Sequence, residues 1–193
     1  MRLRDHNNLG NILWRYFDIK ASRIYKRVFI LGSIEPDINF LTYFRGSVRY
    51  EKMRGHNYDN VIHHVGKLIS KIQVSNIQLL KYYRLGKLIH YVADSFTFPH
   101  NREFTGSLEE HCRYEYILHS YMCRYLPGNH RGLRKDNNEN LLNEIKRLHN
   151  KYINSVRNYY EDCYYIVNVS IMVIEDLIKE LENEEYMNIK KVA

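Results

Sequence analysis

The sequence predicts an all-α protein, a single-domain multi-helix bundle over residues 1–193. Three observations carry this reading. Only three prolines and nine glycines punctuate 193 residues, too few for a many-turned β architecture. Apolar residues recur at three- and four-residue spacing along most of the chain. One segment, residues 77–96, is apolar on more than one face, as a helix enclosed by other helices must be.

A first helix is expected after Asp5, with Leu9, Ile12, Leu13, Tyr16 and Phe17 on its apolar face. Ser22 caps a second that runs through Ile24, Val28, Phe29 and Leu31 and should stop at "GSIEPDI", where Gly32 and Pro36 interrupt it. The segment "NFLTYFRGSVRYEKMRG" has no clear period. Tyr58, Val61, Ile62, Val65, Leu68, Ile69 and Ile72 trace one face of a third helix. The apolar segment 77–96 follows, then a loop, "TFPHNREFTGS". Ser107 and Glu110 form a capping box that opens the next helix, which ends near Pro127 and Gly128. Two amphipathic segments, about 141–160 and 163–181, complete the bundle, and the tail after Glu182 is expected to fray.

The formal charge of +7 favours anionic partners, such as phospholipid surfaces, nucleic acids or phosphate esters. Because the basic residues are scattered, an ordinary solvated basic surface fits equally well. Cys112, Cys123 and Cys163 are odd in number and lack paired spacing, which argues against a disulfide framework. The opening "MRLRDHNNLG" has no apolar run of the signal-peptide kind, and no stretch reaches the length of a membrane span. These features predict a cytoplasmic protein.

The chemistry-bearing stretch is "HYVADSFTFPHNREFTGSLEEHCRYE". His90 and Asp94 are four residues apart on the apolar helix, and His111 and Glu115 repeat that spacing on the next. His100 lies between, just beyond Pro99. One such pair is ordinarily a hydrogen-bonded or solvated pair. Two pairs and a histidine within 26 residues point instead to a shared metal, since imidazole nitrogen and carboxylate oxygen suit Zn²⁺. Asp59 and His63 are also four apart, so the register around His56 admits an alternative. His119 extends the face of His111 and Glu115, where packing or support of a ligand from behind is the expected role. His63 or His64 could orient a ligand, and His130 and His149 sit in polar surroundings that predict solvation.

The order His-x3-Asp-x5-His followed by His-x3-Glu resembles the core motif of the zinc-dependent phospholipase C family, whose architecture the single-strand-specific zinc nucleases share. Upstream, "GSIEPDI" resembles the segment that supplies an aspartate ligand, here Asp37. "GHNYD" resembles the segment supplying a histidine, here His56, and "DHNNL" the short motif on the first helix, here His6. The resemblance implies a helical bundle of the phospholipase C and zinc nuclease type with two or three zinc ions. One ion would take Asp37, His56, His90 and Asp94. A second would take His100, His111 and Glu115. The third would use His6 and the other oxygen of Asp94. Relatives add the amine of an N-terminal tryptophan to that third site; this sequence has none there, and Trp14 lies inside the first helix.

The implied activity is hydrolysis of a phosphodiester by zinc-held hydroxide attacking phosphorus, with Asp37 as ligand or general base. The substrate would be a phospholipid headgroup or a smaller diester, with transient contact to a membrane surface. The same chemistry would serve a nuclease acting on single strands, although no run of basic and aromatic residues marks a stacking groove. A non-catalytic scaffold that keeps the metal ligands is the third reading.

Overall fold

The computed structural model describes residues 1–19, 21–44, 54–128, 130, 132–136, 138–155 and 157–192, with the backbone alone from 179 onward. Most of the unassigned stretch after Phe44 therefore lies outside the described residues. Among the described residues there are seven α-helices, two 3-10 turns and no strand. They run α1 (Leu3–Tyr16), α2 (Arg23–Ile38), the turn Phe40–Phe44, α3 (Tyr58–Gln73), α4 (Gln78–Ser95), the turn Phe98–His100, α5 (Leu108–Tyr125), α6 (Leu141–Ile153) and α7 (Tyr159–Val192). The all-α expectation holds.

Helix α4 is the spine. It packs against α1, α2, α3 and α7, and every residue from Leu88 to Ser95 is buried. Its apolar character on several faces has this cause: from Leu88 onward no side of the helix meets water.

The expected stop of α2 at "GSIEPDI" is corrected, because the helix continues through Gly32 and Pro36 to Ile38. Gly32 is a contact surface here, not a terminator. A Cβ at Gly32 would lie 2.1 Å from the Tyr83 carbonyl oxygen, and one at Gly86 would lie 2.1 Å from the Phe29 carbonyl oxygen. Two facing glycines thus let α2 and α4 approach at backbone distance. Tertiary packing outweighs the local cost of glycine and of the missing proline N–H. The extra turn carries Asp37 to the side of His56 and His90.

Around this pair α5, α6 and α7 begin at side-chain caps, whereas α1 and α3 start without one. Ser107 and Glu110 form both halves of the capping box at the start of α5. The last two helices divide differently from the expectation. Helix α6 ends at Ile153, and Asn158 opens α7 by accepting the Glu161 amide at 2.9 Å. Helix α7 then continues to Val192, where fraying after Glu182 was expected; residues 182–192 contain neither glycine nor proline to stop it. No described helix is long and apolar enough to cross a membrane. The three cysteines are free, Cys163 buried and the other two exposed.

Candidate metal centre

Asp94 stands at the C-terminal end of α4, wholly buried, and its two oxygens face different partners. Oδ2 lies 3.1 Å from His56 Nδ1 and 3.2 Å from His90 Nε2. Oδ1 lies 2.7 Å from the Met1 nitrogen and 3.2 Å from His6 Nε2. Asp37, at the end of α2, places Oδ1 3.6 Å from His56 Nδ1 and 3.7 Å from His90 Nε2. Helices α1, α2 and α4 and the start of α3 therefore converge on one small volume.

The hydrogen bonds behind these rings fix which nitrogen faces inward. His90 Nδ1 donates to the Ser33 carbonyl at 2.9 Å, so its Nε2 turns a lone pair toward the two carboxylates when the ring is neutral. The Thr42 hydroxyl donates to the carbonyls of Pro36 and Asn39 and so accepts from His56 Nε2 at 3.0 Å. When that ring is neutral, Nδ1 is the inward nitrogen of His56. Such support from behind is what metal-holding histidines require. His6 stacks on His90 with ring centroids 3.9 Å apart. Neither ring nitrogen of His6 makes a hydrogen bond, and Asp37 Oδ2 is likewise buried without a partner.

A second group lies beside the first. His100 comes from the turn Phe98–His100, and His111 and Glu115 from the first half of α5. Glu115 Oε1 is 3.2 Å from His100 Nε2 and 3.0 Å from His111 Nε2. The ligand atoms of His100, His111 and Glu115 lie within 4.8 Å of one another, as do those of His6, Asp37, His90 and Asp94. The two groups meet at the Met1 nitrogen, 3.0 Å from Glu115 and 3.2 Å from His100. The sequence reading offered no donor for that position.

Electrostatics follow the geometry. Burial opposes charge on the Met1 ammonium, but Asp94, Glu115 and Asp37 raise it to about 11. Burial pushes His100 down to about 4 and also lowers His6, which favours neutral rings with available lone pairs. Against the effect of burial, the cationic neighbours hold Asp94 and Glu115 well below the ordinary carboxylate range. Although burial opposes it, Asp94 and Asp37 raise His90. Buried carboxylates grouped with imidazole nitrogens, with orphaned polar atoms between them, form a donor set that fits zinc.

Over the imidazoles of His56, His100 and His111 opens a cleft of about 260 Å³, whose walls include Tyr43, Arg54, Phe104 and Leu108. Tyr43 stacks on His56 at 4.7 Å.

The structure brings together all eight residues singled out by motif: His6, Asp37, His56, His90, Asp94, His100, His111 and Glu115. The alternative register fails, because Asp59 pairs with Arg102 at 3.2 Å and His63 joins neither group. His64 also stays outside both groups. His119 bonds Asp5, next to His6, at 2.5 Å. His149 is not solvated. It is buried, donates to the Asn101 side chain at 2.7 Å and stacks on Tyr58 at 3.4 Å. His130 is half-buried and donates to the Tyr125 carbonyl.

Sequence reasoning missed the supporting residues. Besides Thr42, the most connected is Asp162 on α7, which accepts from the Phe98 amide, the Tyr114 hydroxyl and the Tyr152 hydroxyl. It thereby joins the turn that carries His100 to the helix that carries Glu115. No spacing rule could have found either residue, since each acts across long sequence separations or within an unperiodic segment.

Fold and site together define an all-helical protein with two adjoining candidate metal-binding groups. The zinc-dependent phospholipase C family model matches residues 5–159, and the chain belongs to that family. Neither the curated proteins nor the solved structures gave a match. The matched region holds all eight motif residues, whereas Asp162 lies just beyond it.

Proposed function

We propose that this protein is a zinc-dependent phosphodiester hydrolase of phospholipase C type. The observation that carries the proposal is the division of Asp94, whose two oxygens face two different sets of nitrogen donors beneath an open cleft. Asp37, His56, His90 and Asp94 Oδ2 would hold one ion, and His100, His111 and Glu115 a second. His6 and Asp94 Oδ1 would hold a third. Zinc, when bound there, supplies Lewis-acid charge for phosphoryl oxygens and acidifies a water enough to yield hydroxide near neutral pH.

The chain's own groups do the rest. Asp37 Oδ2, buried and unpartnered, accepts the proton of the attacking water. His56 and His90 keep their lone pairs inward because Thr42 and Ser33 hold their other nitrogens. Arg54 in the cleft wall adds positive charge where a phosphate would lie. A cleft of about 260 Å³ suits a single diester headgroup better than successive stacked bases, which favours lipid over nucleic acid.

The test is elemental analysis of untagged protein, combined with turnover of a chromogenic phosphodiester and of phospholipid, each with and without chelator. Two or three zinc ions per chain and chelator-sensitive turnover are expected. Full zinc occupancy without turnover on diesters, lipids or single strands would establish the scaffold reading. Near-zero zinc after zinc-supplemented expression would sink the account altogether.

A further inference from the structure

One cluster of chemistry-bearing side chains belongs to neither metal-binding group. It joins Asp5 on α1 to His119 on α5 and to Cys123, one turn further along α5. Asp5 Oδ1 accepts from His119 Nδ1 at 2.5 Å. Cys123 Sγ lies 3.7 Å from His119 Nε2 and 3.9 Å from Nδ1. The carboxylate is buried, the imidazole is partly covered and the thiol is exposed. The chain of contacts therefore runs from the interior to the surface and ends on sulfur.

This is how a protein activates a nucleophile: a base within reach of it, and a third group that orients the base. In the neutral ring, an Nδ1–H given to Asp5 leaves the lone pair on Nε2, the nitrogen nearer to sulfur. Asp5 Oδ2 is buried without a partner, so His119 is what this carboxylate bonds among the described residues. The four-residue step from His119 to Cys123 sets both on one face of α5, and the helix itself presents the pair.

The other two cysteines serve as internal controls. Cys112 is exposed on the same helix, but among the described residues it bonds no imidazole. Cys163 is wholly buried, and burial, with the Asp162 and Asp5 carboxylates, pushes its thiol up to about 12. Cys123 alone of the three combines exposure with a base held by an acid.

We propose that Cys123 is a modification site, a thiol that His119 and Asp5 prepare for exchange with small-molecule disulfides. The thiol proton passes to His119 Nε2, and the thiolate attacks one sulfur of the disulfide. A bond forms between Cys123 Sγ and that sulfur as the S–S bond of the reagent breaks. The departing thiolate takes the proton from the imidazolium and leaves as a thiol. The disulfide is thus the oxidant, and no other is required. The site is independent of the hydrolase reading, since it uses no residue of either metal-binding group.

The experiment incubates the zinc-loaded full chain with oxidised glutathione at neutral pH and follows each cysteine by mass spectrometry of its peptide. Cys123 should acquire glutathione at least about threefold faster than Cys112, and Cys163 should acquire none. His119→Asn retains a donor toward Asp5 but removes the base; it should bring Cys123 down to the rate of Cys112 and leave Cys112 unchanged. Asp5→Asn should also slow Cys123. The double variant should be no slower than His119→Asn alone, because a positioning residue acts only through the ring it holds.

Equal rates for Cys123 and Cys112 in the unsubstituted protein overturn the proposal, and that comparison requires no variant to fold. An unaltered Cys123 rate in His119→Asn, with Cys163 still protected, overturns it as well. Rapid alkylation of Cys123 by iodoacetamide without any glutathione adduct excludes disulfides as its partner and also overturns it. A double variant slower than His119→Asn removes Asp5 from the positioning role.

Discussion

The two halves of the candidate metal centre are built differently. The group of His6, Asp37, His56, His90 and Asp94 is assembled from long helices and is buried except for the edge of Asp37. Two of its rings are bonded from behind, by the Ser33 carbonyl and the Thr42 hydroxyl. The group of His100, His111 and Glu115 rests on a three-residue turn and the first half of α5, and its rings border the cleft. No hydrogen bond reaches His100 Nδ1 from behind. The buried half is framework, with its donors fixed before any ligand arrives. The cleft half borders open space, and a remote residue, Asp162, holds its supports in register.

The largest expected effect comes from the residue that joins the halves. Asp94→Asn should remove at least one zinc by elemental analysis and lower diester turnover by a factor on the order of 10³. Retained stoichiometry and turnover would break the idea that the two oxygens serve separate ions. Next is Gly32→Ala, which drives a methyl into the Tyr83 carbonyl and forces α2 from α4. A loss of about 1–3 kcal/mol in denaturant unfolding is expected, together with weakened zinc binding in the buried half, since Asp37 and the Ser33 carbonyl ride on α2. Stability without change would mean that the close approach of the helices is dispensable.

The third prediction probes the support of the cleft half. Burial raises Asp162 to about 6, although Tyr152, Phe98 and Tyr114 all donate to it. Because its folded pKa lies above the unfolded value, the folded state binds the proton more tightly between about pH 4 and 6. That contribution is fully present below pH 4 and is lost as pH rises through 6, a change of at most about 3 kcal/mol. Asp162→Asn should flatten the slope of stability across this window; an unaltered slope would show that Asp162 does not titrate there. The smallest effect is expected for Thr42→Val, which leaves His56 Nε2–H without an acceptor. Zinc affinity of the buried half should fall about 10–100-fold in a competitive chelator titration, with the open half unaffected. Equal loss in both halves would show that the two are not independent.

Much of this was legible beforehand, for identifiable reasons. Helices α3 and α4 announced themselves by period, and the Ser107–Glu110 box marked the start of α5. The pairs His90/Asp94 and His111/Glu115 are local, so spacing alone placed each pair on one helical face. Other features misled. Gly32 and Pro36 read as a stop because local propensity says so, and only the partner helix reveals that Gly32 is where two backbones touch. His149 looked solvated because its neighbours in sequence are polar, whereas its neighbours in space are Asn101 and Tyr58.

By itself, then, the sequence determined the helical class, the ligand types and their spacing within each helix, because those properties depend on residues a turn or two apart. The tertiary structure decided how Asp94 divides its oxygens, which nitrogen each histidine turns inward, and that the Met1 nitrogen sits between the two groups. Each of these depends on which distant groups are brought within about 3 Å, the reach of a hydrogen bond, and no periodicity along the chain encodes that proximity.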